Sequence, residues 1–133
     1  MTARRWAAAL EAGTLVVAAQ LIIGLLGSRT LLRLLGRPGA YTGGRLVDPA
    51  TWRRARPIAR RVDRVADRLP WRAACLSRAV ATRAMLRRRG IPCEVHLGIL
   101  GTRPLAAHAW VTAGGVPVQG GQVKGVTALA TLR

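Results

Sequence analysis

Leu69-Pro-Trp-Arg-Ala-Ala-Cys-Leu-Ser-Arg-Ala-Val80, followed by Leu86-Arg-Arg-Arg-Gly-Ile-Pro92 and by His108-Ala-Trp-Val111, decides how this chain is read. Pro70 cannot continue a helical hydrogen-bond ladder, so it closes one helix and lets another start. The new helix runs through Arg89, with Leu76, Ala79, Val80 and Leu86 on one broad apolar face that Arg83 interrupts. Arg87-Arg-Arg89 followed by Gly90 is a C-terminal signature: cations suit the negative end of the helix dipole, and glycine suits the left-handed cap. Beyond Pro92 the period changes to two. Cys93, Val95, Leu97 and Ile99 alternate with Glu94, His96 and Gly98, as in a strand with one buried face. Gly101-Thr-Arg-Pro104 is a turn, and His108–Ala113, Gly114-Gly115 and Val116–Gln119 read as a hairpin around two glycines. The tail 122–133 adds a strand or a helix; the pattern fits both. The order is therefore α+β, a helix followed by a small antiparallel sheet.

Outward from this stretch, Asp48-Pro-Ala-Thr51 offers helix-start chemistry. Ile58, Val62, Val65 and Leu69 then repeat at helical spacing opposite Arg60, Arg61, Arg64 and Arg68. Residues 36–44 are dense in glycine and form the best linker. They divide an N-terminal helical segment, residues 1–40, from a core over 45–133. The segment is packed on the core or apposed to a membrane. Its run from Gly13 to Gly27 carries no charge and, at 15 residues, falls short of a bilayer span. A buried or interfacial helix is the expectation, and no A-x-A-like cleavage site follows Leu26.

The 133 residues suffice for one domain. Half are apolar, which argues against global disorder, and with four Trp, one Tyr and no Phe the core must be aliphatic. Twenty-two Lys+Arg against five Asp+Glu leave a net charge of +17, a field that favours acidic partners or anionic surfaces. No nucleic-acid motif accompanies it, and the arginines are spread over several helices, so no specific nucleic acid is expected. Two cysteines make no disulfide framework, and with two histidines they lack paired metal-ligand spacing, so neither metal nor cofactor is expected. Free thiols fit a reducing compartment, hence the cytoplasm, with membrane association left open.

Cys75 sits in the first turn of its helix and His108 at the start of the second strand. A thiolate, not a thiol, attacks a carbonyl, and an ordinary thiol titrates at roughly 8.5. A helix N-terminus and the neighbouring Arg72 and Arg78 favour the thiolate at Cys75. An imidazole can then share the proton and pass it to a leaving amine. The plain alternatives are a small core cysteine and a strand histidine satisfied by a backbone carbonyl. Cys93 competes as nucleophile, but its alternation with Val95 and Leu97 makes it a core residue. His96 competes as base; sharing a face with Glu94, it reads as a cross-strand or surface residue.

These motifs, with Leu10-Glu-Ala12 and Arg29-Thr-Leu-Leu-Arg-Leu-Leu-Gly36 near the start, resemble the leader peptidase of lasso-peptide biosynthesis, a transglutaminase-like cysteine protease, and more narrowly the stand-alone protease half of the split B protein. The resemblance covers residues 8 to 121 and implies a transglutaminase-like, papain-like core. It implies Cys75 as nucleophile and His108 as general base and acid, with no cofactor. Its partners would be a precursor peptide, a PqqD-like leader-recognition protein and an asparagine-synthetase-like cyclase. The family's triad ends in an Asp whose place falls at Gly120 here, so the third member is absent, replaced by Gln119 or supplied by Glu94, and Gln119 is preferred to Glu94 because a regular hairpin brings it opposite Trp110. The N–H of Cys75 would donate to the oxyanion. Trp71 and Trp110 are candidate substrate contacts, with core or rim packing as the alternative. A catalytically impaired scaffold of the same fold, holding precursor and cyclase, is the other reading, alongside a basic membrane- or nucleic-acid-binding protein.

Overall fold

The computed structural model describes residues 2–27, 30, 33, 39–40, 47–70, 74–100, 106–120 and 126–132. Three helices, α1 (Ala3–Leu26), α2 (Pro49–Asp67) and α3 (Cys75–Arg88), pack together and against a sheet. The sheet's strands are β1 (Gly39–Ala40), β2 (Glu94–Leu100), β3 (Ala106–Ala113), β4 (Val116–Gln119) and β5 (Val126–Leu132). Among the described residues the sheet has the order β1-β5-β2-β3-β4, and every pairing is antiparallel. The α+β class read from the sequence is the class found. The undecided tail is β5, a central strand inserted between β1 and β2.

Asp48 opens α2 as the sequence suggests. Its carboxylate accepts from the N–H of Ala50 and the hydroxyl of Thr51, satisfying donors that have no partner inside the helix. The indole of Trp52 donates to the carbonyl of Pro117, and Arg56 donates to that of Val118, tying α2 to β4. Gly114 and Gly115 both have positive φ, 60° and 77°, the geometry of a two-residue hairpin turn of type I′. A Cβ at Gly114 would lie 2.2 Å from the carbonyl oxygen of Asp48, so the turn packs directly on the start of α2.

The inner face of the sheet and the three helices share one core. Ala8, Ala12 and Val16 of α1 meet Ala55, Ala59 and Val62 of α2, Met85 and Leu86 of α3, and Val95, Ala109 and Val111 of the sheet. Alanines at the contacts let helix axes approach closely, which is how a chain without Phe fills its interior. The length argument made for the N-terminal run needs correction. The helix is continuous from Ala3 to Leu26, 24 residues, and is long and apolar enough to cross a membrane by length and composition. One side of it is nevertheless docked to α2 and α3, and Glu11 bonds Arg88 and Arg89 at the far end of α3. The linker at 36–44 lies largely outside the described residues.

Candidate active site

Cys75 is the first residue of α3, and Ala74 before it is extended. An open cavity of about 330 Å³ lies against it, lined by Asp63 and Asp67 from α2, Cys75 and Arg78 from α3, and Ala109, Gln119 and Gly120 from the sheet. Arg78 pairs with both carboxylates, at 3.3 Å to Asp63 and 2.7 Å to Asp67. Burial raises the carboxyl of Asp63 above the usual carboxylate range, against the opposing pull of Arg78 and of the Gln119 amide. In a chain of net charge +17, this cavity holds two of only five acids.

His108 is not among the residues that line this cavity and lies on the other side of the sheet. Ala109, Val111 and Ala113 belong to the helix-facing core, so strand alternation directs His108, Trp110 and Thr112 to the outer face. There the His108 ring stacks on Trp110, centroids 5.8 Å apart and planes 18° apart. Its Nε2 lies 3.0 Å from the carbonyl oxygen of Gly120. A carbonyl can only accept, so Nε2 carries the proton and donates it, which leaves Nδ1 of the neutral ring as the basic nitrogen. Gly120 is thus the junction: it lines the cavity beside Cys75 and fixes the imidazole.

The expectation for Gln119 is corrected by the register of the hairpin. The pairing of β3 with β4 shifts between Val111 and Thr112, a bulge that sets Gln119 opposite Val111 rather than Trp110. A one-residue slip sends a side chain to the other face, so Gln119 points inward, away from His108. Its amide donates to the carboxylate of Asp63 at 3.1 Å and, more weakly, to the carbonyl of Ala59. Its Oε1 is buried and has no hydrogen-bond partner among the described residues. The contact that orients His108 is the backbone of Gly120, not a side chain. The place where the resemblance implied an Asp is closed to one: Gly120 has φ 68°, and a Cβ there would lie 2.8 Å from the carbonyl oxygen of Ala109.

The competitors fall into structural roles. Cys93 packs against the core, and burial pushes its thiol up to about 11. His96 is buried between two hydroxyls, with Nδ1 2.9 Å from Thr131 and Nε2 2.8 Å from Thr112, and it tilts against Trp110. Glu94 is buried on this face, 3.9 Å from Nε2 of His96. Trp110, 4% exposed, lies against both imidazoles and away from the cavity side, so it supports His108 rather than meeting a substrate at the cavity. Trp71 and Arg72 lie outside the described residues.

Asp63, Asp67 and Gln20 escaped the sequence reading. The signal for the first two was their i, i+4 spacing in a helix otherwise dominated by arginine. Gln20 stood out only as an amide inside an apolar run, and it accepts hydrogen bonds from the N–H of Ala74 and the hydroxyl of Ser77.

A helix headed by cysteine, packed on an antiparallel sheet that carries a histidine, is the arrangement of a transglutaminase-like domain. The family model of the transglutaminase-like superfamily matches residues 15–133, and the chain belongs to that superfamily. No curated protein and no solved structure matches the chain.

Proposed function

We propose that this protein is a cysteine endopeptidase that removes the leader from a ribosomally made lasso-peptide precursor. The observation that carries the reading is the junction at Gly120, which touches both the Cys75 cavity and the ring of His108. Nδ1 of His108 takes the thiol proton as the sulfur attacks the scissile carbonyl carbon. The N–H of Cys75, at the positive end of α3, stabilises the oxyanion. The imidazolium then gives its proton to the leaving amine, and the C–N bond breaks. Water, deprotonated by the same ring, hydrolyses the thioester and returns the free thiol. Closing of the ring toward the sulfur on substrate binding is part of the proposal, since hydrogen bonds at such sites tighten in the substrate complex.

The partners proposed are the precursor, a PqqD-like protein that presents its leader, and an asparagine-synthetase-like cyclase that uses the new N-terminus. The reaction belongs in the reducing cytoplasm. The outer side of α1 exposes Trp6, Leu10, Leu21 and Leu25, and with an arginine-rich body behind it this side suits an anionic bilayer surface. Flotation with anionic vesicles, and none with neutral ones, is the expected result; dimerisation through that face instead would overturn it.

A second reading is favoured by one observation. His108 and the cavity-lining Ala109 face opposite sides of β3, and among the described residues Nε2 of the imidazole is backed by a backbone carbonyl and not by a carboxylate. A non-cleaving scaffold of the same fold would tolerate both. Incubating wild type and Cys75→Ala with precursor and recognition protein, followed by mass spectrometry, separates the two. Cleavage at one site, lost in Cys75→Ala, supports the peptidase; identical behaviour of the two proteins favours the scaffold.

A further inference from the structure

The helix that carries Cys75 is not capped by its own sequence. Its N-cap position is Ala74, which has no capping group, although the N–H groups of a helix's first turn have no acceptor within the helix. The acceptor comes from α1. Oε1 of Gln20 lies 3.3 Å from the N–H of Ala74 and 2.7 Å from the hydroxyl of Ser77. In an ordinary capping box the third residue of the helix reaches back to the N-cap N–H. Ser77 holds that place but is too short to reach, and the Gln20 oxygen accepts from both ends of the box instead. Ser77 is fully buried, so water does not compete for its hydroxyl. Cys75 lies between the two anchored points.

We propose that Gln20 is a positioning residue for Cys75, holding the first turn of α3 so that the sulfur and the Cys75 N–H stand at the cavity in working geometry. The inference rests on the assignment of Cys75 as nucleophile. It also gives α1 a task beyond packing: among the described residues its core contacts are apolar, and its ion pairs, Glu11 with Arg88 and Arg89, lie at the other end of α3. A glutamine in the middle of an apolar helix costs burial of an amide, which its two donors offset.

Gln20→Met keeps the length of the side chain and deletes the acceptor, Gln20→Glu keeps the acceptor, and Ser77→Ala removes one donor. The full-length variants are treated with iodoacetamide at pH 7, and labelling is read site by site by mass spectrometry. Cys93, whose thiol burial pushes up to about 11, is the internal reporter of a folded core. Gln20→Met is expected to label Cys75 about tenfold more slowly than wild type and to lose a similar factor in kcat on the precursor, with KM unchanged. Ser77→Ala should fall between, and Gln20→Glu should recover most of the rate. Wild-type labelling of Cys75 in Gln20→Met, with Cys93 still protected, would overturn the proposal. Should Gln20→Met expose Cys93, Ser77→Ala decides by the same criterion. If wild type cleaves no precursor while Cys75 labelling still follows this order, the peptidase reading fails and the positioning role stands. If cleavage proceeds and ignores Gln20, the reverse holds.

Discussion

The two faces of the sheet are built to different rules. The inner face presents Val95, Ala109, Val111 and Ala113 to helices whose own contacts are largely alanine, with the Gln119–Asp63 pair as a polar exception. The outer face carries His96, His108, Trp110, Thr112 and Thr131, in which two imidazoles share one indole and His96 lies between two hydroxyls. Cys75 belongs to the inner side and His108 to the outer. Beyond the end of β4, Gly120 lines the cavity beside Cys75, and its carbonyl accepts from His108.

The largest effects should come from removing either member of the pair. His108→Ala is expected to lower the cleavage rate by roughly 10²–10⁴-fold, the range for loss of a general base, with melting temperature little changed. Equal rates in wild type and variant would mean that the outer face plays no part. Trp110→Ala tests the outer face as a packed layer. It should cost about 3–5 kcal/mol in denaturant unfolding, because it empties a buried site between two rings. Gly120→Asp would sharpen the comparison most. It introduces the carboxylate that the resemblance to leader peptidases implies, yet the positive φ and the close carbonyl of Ala109 oppose a side chain there. The expected result is a loss of about 1–3 kcal/mol in stability and no gain in rate. A faster enzyme would show that the junction rearranges.

Smaller effects separate two acids on the helical side by their response to pH. Hydrogen bonding and attraction from Arg89 and Arg88 hold Glu11 below its ordinary 4.5. Its contribution is therefore present above that value and is lost as pH falls through the lower folded value. Burial raises Asp63 above its ordinary 3.8, so its contribution is complete below 3.8 and fades as pH rises through the folded value. Unfolding curves at a series of pH values should show Glu11→Gln flattening the acid-side loss, at about 1 kcal/mol or less because the pair is partly solvated. Asp63→Asn should instead remove a decline on the rising side.

Much of this was legible in the chain because local chemistry and tertiary role coincide. Asp48, Pro70 and Gly90 punctuate the helices as expected, and the alternation through Val95 and Leu97 marked the helix-facing side of β2, although Glu94 and His96 on its other face are buried too. Cys75 and His108 stood out because a helix start and a strand start are readable positions. Three things were not readable. The bulge in β4 has no sequence signal, and it alone moved Gln119 to the wrong face for His108. The Gln20 contact spans more than fifty residues and depends on how α1 docks. The role of Gly120 is a backbone role, which residue type does not announce.

The account stands on Cys75 and His108 acting as a pair across Gly120. The direct measurement is the rate at which iodoacetamide labels Cys75 at pH 7 in wild type and in His108→Ala, with Cys93 as the folded-core control. The pair predicts labelling about tenfold slower, or more, once the imidazole is gone. Equal rates in the two proteins would contradict it, leaving an outer-face histidine and a cysteine with no shared proton.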